Sequence, residues 1–338
     1  MGQDIAPFIQ LRDYITGEMV SKAIHVAAEL GCSDLLDDGP KTITELAELT
    51  GSHEQSLNRL LRLLASYGIY RQKEDNRFEL TPTAALMKSG DKTLHSFIKM
   101  FSSPWNQKPF NELLHAVKTG KSAFESSMEK PFFDYIREDK AAGDLFNKVM
   151  TDFLSNVHAA AVDAYDFSIF DTIIDVGGGH GSLISKIVER YPIAQGIVFD
   201  LPSVIEGTKN KMTEENLNNK IRCVAGDFFT EIPKDADAYL LCRVIHDWDD
   251  EEAIQILSNC RRSMNPNSRL LLVEQILQPG NEASFTKVTD LWMMMMFHQG
   301  RERTESEFIH ILSESGFTLN RIIPTNVHDS IIEVIPKK

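Results

Sequence analysis

Apolar positions recur at helical spacing along the first third of the chain. Residues 11–36 place Ile15, Met19, Ala23, Val26, Ala27 and Leu30 on one face, and Gly31 suits the end of that helix. KTITELAELTG predicts a short helix with Thr44 as N-cap, and SHEQSLNRLLRLLASYGIY a longer one with Ser52 as cap and Gly68 closing it. IYRQKEDNRFELT holds two short β-prone runs around Asp75-Asn76, the pattern of a hairpin. Three helices and a hairpin predict a winged helix over residues 1–95. Residues 83–165 are mostly helical, broken at Pro104, Pro109, Gly120 and Pro131. They are too apolar for a flexible linker, so 96–160 are expected to form a packed helical connector.

The rhythm changes at residue 172. TIIDV, GIVFD, IRCVAGD, DAYLLCRVI and RLLLVEQIL are short, near-continuous apolar runs separated by helical stretches. Such strands predict a parallel sheet covered on both faces, an α/β domain over 161–338. TLNRIIPT and SIIEVIPK follow and are expected to form an antiparallel edge pair.

Composition narrows the function. The chain of 338 residues carries a net charge of −14, which repels phosphate backbones and anionic membrane surfaces. Cys32, Cys223, Cys242 and Cys260 have no metal-like spacing and suit reduced thiols in the cytoplasm. The N-terminus MGQDIAPFIQ lacks a basic segment followed by an apolar run, and no stretch is long enough to span a bilayer.

The first strand of the α/β domain ends in IIDVGGGHGSL. Glycines at the carboxyl end of a strand let the backbone approach a ligand and turn sharply into a helix. A dinucleotide site needs GxGxxG, whereas Gly177 to Gly181 read GGGHG. Asp175, just before the glycines, sits poorly beside a diphosphate and well beside a cation. Asp200 ends the second strand, where a carboxylate can accept both hydroxyls of a ribose. S-adenosylmethionine, with a sulfonium, an ammonium and a ribose, fits this acidic turn better than a dinucleotide does. In AGDFF, Asp227 suits the adenine amino group and Phe228 the adenine ring, although a turn acid beside a core phenylalanine would look the same.

The fourth strand runs into His246-Asp247-Trp248. A neutral imidazole there can take the proton of a hydroxyl as its oxygen attacks the methyl carbon. Glu274, on the fifth strand, and Glu302, in GRERT, are the carboxylates expected to orient that imidazole. Arg243 has either the cofactor carboxylate or an acid in the sheet as its partner. KVTDLWMMMMFHQG is helical, with Trp292, Met293, Met296 and Phe297 offering a surface adapted to flat apolar ligands, or simply core packing. FNKVMTDF, with Phe146 and Met150, is a similar case.

These residues carry a resemblance. AAELGCSDLL, TITELAELTG, LNRLLRLLASYGIY and FELTPTAALM, then DVGGGHG, FDLP, GDFF, RVIHDW, LLLVEQIL and GRERT, follow in order over nearly the whole chain. The chain resembles the small-molecule O-methyltransferases typified by plant caffeic acid and flavonoid enzymes and bacterial phenazine and anthracycline enzymes. The resemblance implies a Rossmann-like class I methyltransferase domain behind an N-terminal winged-helix dimerisation domain, a homodimer, and no metal. It implies that Gly177, Gly179, Asp200, Asp227 and Phe228 contact S-adenosylmethionine, with S-adenosylhomocysteine as product; Asp175, Leu201 and Arg243 are also expected around it. It implies that His246 is the base flanked by Glu274 and Glu302, and that Phe146, Met150, Met293 and Phe297 line the acceptor pocket, where Trp292 and Met296 are expected as well. Three positions depart from the pattern: Cys242 stands where many plant members carry a lysine, Gln299 replaces a glycine, and Phe297 replaces an asparagine of some plant enzymes.

Other classes are weaker. A winged helix invites DNA binding, but Arg59 and Arg62 are offset by Glu45, Glu48 and Glu54 on an acidic chain. Relatives that decarboxylate or hydroxylate on this scaffold remain an alternative, against which His246 and Glu274 favour methyl transfer to a hydroxyl of a small aromatic or polyketide-like molecule.

Overall fold

The computed structural model describes residues 5–90, 92–191, 195–297 and 299–337, so the first four residues of the N-terminal reading lie outside it. The chain divides into two compact units. One comprises residues up to 111 together with 133–152, the other 112–132 together with 153 onward. The stretch expected as a connector is therefore shared between them.

In the first unit, helices Ala6–Glu29, Cys32–Leu35, Ile43–Thr50 and Glu54–Ser66 precede an antiparallel hairpin of β1 (Tyr70–Gln72) and β2 (Phe78–Leu80). Thr42, not Thr44, caps the third helix. Its Oγ1 accepts the Glu45 amide at 3.2 Å and the Glu45 carboxylate accepts the Thr42 amide at 2.7 Å, a reciprocal capping box. His53, not Ser52, stands at the N-cap of the fourth helix and makes no side-chain cap; the Ser52 hydroxyl pairs with Thr50 instead. Gly31 and Gly68 follow their helices at φ +64° and +72°, a conformation that costs an L side chain energy and glycine little. Ala27, Leu46, Leu61, Leu64 and Phe78 form the core. The apolar face of the first helix is only partly buried: Ala23 and Ala27 are inside, but Tyr14, Ile15 and Met19 are 72%, 70% and 69% exposed.

The second unit is built on a seven-stranded sheet of β3 (Thr172–Val176), β4 (Gln195–Asp200), β5 (Ile221–Ala225), β6 (Ala238–Cys242), β7 (Arg269–Gln275), β8 (Phe317–Pro324) and β9 (Asp329–Pro336), ordered β5-β4-β3-β6-β7-β9-β8. Strands β3 to β7 are parallel, and strand order reverses on either side of β3. The last two strands do pair antiparallel, but β9 lies inside the sheet against β7, leaving only β8 at the edge. Alternate residues bury into two cores. Ile174, Val176, Leu241 and Leu272 pack with Ile256, Leu257 and Ile311 on one face. Ile173, Val198, Leu240 and Leu271 pack with Ile184, Ile187 and Ile205 on the other. Each such side chain contributes about 1.5–3 kcal/mol, which fixes the register and hence what stands at the strand ends. Among the described residues, no helix is long and apolar enough to cross a membrane.

Candidate active site

Strand β3 runs into a turn with three left-handed glycines, Gly177, Gly179 and Gly181 at φ +69°, +55° and +72°. A Cβ on Gly177 would lie 3.0 Å from the Val244 side chain and 3.6 Å from the Phe228 ring. The glycine thus lets the ends of three strands converge. Asp200 at the end of β4 accepts the Gly179 amide on Oδ2 at 2.8 Å and the Leu201 amide on Oδ1 at 2.7 Å, holding the turn against β4. Leu201 itself is exposed beside it. Asp227 accepts the Phe229 amide at 2.8 Å, and Phe228, Phe229 and Trp248 pack edge to face, with Phe228 and Trp248 centroids 6.0 Å apart.

The charge of this end of the sheet is diagnostic. Asp175 is buried, and its Oδ2 has no hydrogen-bond partner. Burial, and then the neighbouring Asp200, push its carboxyl up to about 7. A buried carboxyl raised in this way beside a second acid is relieved by a cationic ligand and aggravated by a pyrophosphate. The residues present therefore fit S-adenosylmethionine and not a dinucleotide.

Beyond β6 the chain turns through Arg243, in the left-handed region at φ +54°, a conformation costing about 1–3 kcal/mol for a non-glycine residue. Neighbouring elements hold it there. The Arg243 amide donates to the Val273 carbonyl at 3.0 Å, and Glu274 Oε1 accepts the amides of Val244 and Ile245 at 3.0 and 2.8 Å. One turn of 3-10 helix, Ile245–Asp247, then presents His246.

His246 is buried. Its Nδ1 lies 3.4 Å from Glu302 Oε1 and its Nε2 lies 3.4 Å from Asp247 Oδ1. Burial and the Arg243 charge oppose the imidazolium, but Asp247, Glu302 and Glu274 outweigh them and raise the imidazole above its ordinary value. Of the two expected carboxylates, Glu302 stands against the ring. Glu274 is spent on backbone amides, and burial pushes its carboxyl up to about 7. The Glu302 amide is held by Asp290 at 2.9 Å.

Of the two partners expected for Arg243, the structure shows the acids, among which its guanidinium is buried. Nη2 donates to Glu302 Oε1 at 3.1 Å, while Glu274 and Asp329 lie 3.9 and 3.7 Å from Nη1. Acceptor atoms of His246, Glu274 and Glu302 lie within 4.8 Å of one another, but this guanidinium already supplies the positive charge among those carboxylates.

Two residues of this region were not singled out by the sequence. Arg303 is 1% exposed, and its guanidinium donates to the carbonyls of Ile245 at 2.9 Å and Trp248 at 2.8 Å and to Asp250 at 2.9 Å. With the Arg301 amide on the His246 carbonyl at 2.8 Å, it straps the turn that carries the imidazole. It lies inside GRERT, so the signal was present there. Asp329 carried no local signal.

On helix Phe285–Met296, Met293 and Met296 are buried rather than displayed, and Met295 packs with Ala116 and Ala123. Trp292 and Phe297 are half-buried and meet edge to face at 5.6 Å, and Phe132 adds a third ring 5.1 Å from Phe297. A Cβ on Gly300 would come within 2.7 Å of Met293 and 3.3 Å of the His246 carbonyl, so Met293 borders the His246 turn. Gln299, at the departing glycine position, donates to Asp249 at 3.2 Å. Phe146 and Met150 lie on helix Lys140–Ala164, within the first unit, and are half-buried there.

Residues 12–89 match an O-methyltransferase dimerisation domain and residues 110–318 an O-methyltransferase domain. The chain is 40% identical to phenazine O-methyltransferase PhzM of Lysobacter antibioticus, over 96% of this chain and 95% of that one. It is 36% identical to the mitomycin biosynthesis 6-O-methyltransferase of Streptomyces lavendulae, over 93% and 90%. Among solved structures, CalO1, a methyltransferase in calicheamicin biosynthesis determined with S-adenosylhomocysteine bound, superposes with a TM-score of 0.89 at 29% identity, over 99% of this chain and all of that one.

Proposed function

The chain belongs to the O-methyltransferase family with an N-terminal dimerisation domain, and from that premise we propose that it moves a methyl group onto a hydroxyl of a small aromatic or polyketide-like secondary metabolite, with His246 as general base. Its methyl donor is S-adenosylmethionine, as the acidic glycine turn and the family together indicate. The observation that carries the reading of His246 is a buried imidazole whose two ring nitrogens each lie 3.4 Å from a carboxylate, Glu302 and Asp247, beyond the carboxyl end of β6 and next to that turn.

When bound, S-adenosylmethionine supplies a methyl carbon activated by its sulfonium. The rest falls to the chain. We assign Asp200 to the ribose hydroxyls, Asp227 and Phe228 to the adenine, and Asp175 to the positive charge, a reading supported by their positions around the turn, where Gly177 and Gly179 leave room for close approach. His246, neutral, takes the hydroxyl proton on Nε2. Glu302 orients the ring through Nδ1 and, with Asp247, stabilises the imidazolium. Trp292, Phe297, Met293 and Met296 give the acceptor an apolar, aromatic environment, and Phe297 in place of an asparagine suits a greasier acceptor.

We further read the protein as a homodimer formed through its first unit, because Tyr14, Ile15 and Met19 expose an apolar helix face on an acidic chain. Its four cysteines are free thiols, in keeping with a reducing cytoplasm.

Calorimetry tests the cofactor assignment. S-adenosylhomocysteine should bind the wild type while NAD does not, and Asp200→Ala should weaken that binding about tenfold or more, the worth of a charged hydrogen bond. Binding of NAD instead would overturn the assignment.

A further inference from the structure

Asp329 opens β9, pairs in register with Gln275 of β7, and is 1% exposed. Neither of its carboxylate oxygens has a hydrogen-bond partner, yet Oδ1 lies 3.7 Å from Arg243 Nη1. The same Nη1 is shared with Glu302 Oε2 at 3.5 Å and Glu274 at 3.9 Å, while Nη2 donates to Glu302 Oε1 at 3.1 Å. One buried cation thus stands among three buried carboxylates, and one of those, Glu302, also faces the imidazole. A guanidinium drawn toward the ladder of β7 and β9 leaves Glu302 freer to support an imidazolium; one released from Asp329 binds Glu302 more fully.

We propose that Asp329 is a positioning residue for the His246 site, holding Arg243 toward the ladder so that Glu302 remains available to the imidazole. This rests on the reading of His246 as the base. The groups that face His246 are Arg243, Asp247, Glu274 and Glu302, and Asp329 itself. Those that face Asp329 are Arg243, Glu302, His246 and His328, with the Cys242 thiol nearby and Asp290 behind Glu302. Removing the Asp329 charge acts in one direction by two routes. It deletes a negative charge near the imidazole, and it lets Arg243 take more of Glu302. Both disfavour the imidazolium.

The test is a nitrogen-15 titration of ring-labelled histidines in the full-length protein saturated with S-adenosylhomocysteine, over about pH 5 to 9. The His246 signal is assigned by its loss in His246→Gln. In Asp329→Asn its midpoint should fall by roughly half a pH unit or more, given charges at this separation in a buried site. S-adenosylhomocysteine affinity should stay within about twofold, since Asp329 does not face the glycine turn. Asp329→Ser repeats the measurement if the asparagine variant does not fold. An unmoved midpoint in the folded variant would mean that Asp329 is uncharged or uncoupled, and would overturn the proposal. The base reading fails separately: if His246→Gln keeps methyl transfer, His246 is not the base, while the electrostatic link to Asp329 can still be measured.

Discussion

His246 becomes chemically specific through its neighbours. A lone histidine after a strand is most often a satisfied core residue; here Glu302 and Asp247 each lie 3.4 Å from a ring nitrogen. Because the acids raise the imidazole, its neutral, proton-accepting form prevails only at higher pH. The rate constant kcat/KM should therefore rise with pH through a midpoint above the ordinary imidazole value of 6.5, and Glu302→Gln should move that midpoint down. A pH–rate profile of both proteins checks this. Asp175 gives a second prediction. A buried carboxyl raised to about 7 binds its proton more tightly when folded than when unfolded. The cofactor-free protein should then lose stability as pH rises from about 4 to 7, and Asp175→Asn should raise its Tm at neutral pH while weakening S-adenosylhomocysteine binding. Thermal melts across pH decide it. At this scale the sequence was legible where chemistry follows chain order. The sequence pointed to Asp175, Asp200 and His246 because each lies at or just beyond the carboxyl end of a recognisable strand. The partner of Glu274 was not: whether a carboxylate reaches an imidazole or two amides depends on the left-handed turn at Arg243, which no local pattern announces.

Elements place these groups by register and by caps. Thr304 and Glu307 form a reciprocal capping box that starts helix Glu305–Glu314 immediately after GRERT, which anchors the loop carrying Glu302 and Arg303. Arg303 then straps the His246 turn through three hydrogen bonds. Arg303→Met should lower turnover by about 100-fold or more while S-adenosylhomocysteine still binds, because a displacement of about 1 Å at the base has that effect. Equal losses of turnover and cofactor affinity would mean that the whole end of the sheet collapses instead. The glycine turn is similarly exacting. Gly181→Ala meets Val198 at 3.0 Å and Met212 at 3.3 Å in a left-handed conformation, and should cost about 1–3 kcal/mol in denaturant unfolding. The helix caps show how near a local reading can come. Thr42 and Thr44 are both threonines, but only Thr42 has a glutamate three residues on, which closes the capping box. Asp329 was out of reach for a different reason: it meets Arg243 only because β9 inserts beside β7, and the sequence suggested an edge pair.

On the scale of the whole molecule, the chain folds as two compact units. The first unit leaves the apolar face of helix Ala6–Glu29 uncovered at Tyr14, Ile15 and Met19. Met19→Glu together with Ile15→Glu should shift the protein from dimer toward monomer in sedimentation, without unfolding the unit, since neither side chain belongs to its core. A dimer that survives both charges must be formed elsewhere. The two-part organisation was legible from the change in hydrophobic rhythm near residue 172. The interleaving of 112–132 and 133–152 between units was not, because helical periodicity reports a buried face and not the element it is buried against.

The most direct test of the account is methyl transfer itself. Labelled S-adenosylmethionine would be offered with a panel of hydroxylated phenazines, naphthols and quinones, to the wild type and to His246→Gln, with the methylated atom identified by mass spectrometry. O-methylation by the wild type is expected, reduced about 10²–10⁴-fold in the variant while S-adenosylhomocysteine binds both equally. Transfer at an undiminished rate by His246→Gln would contradict it.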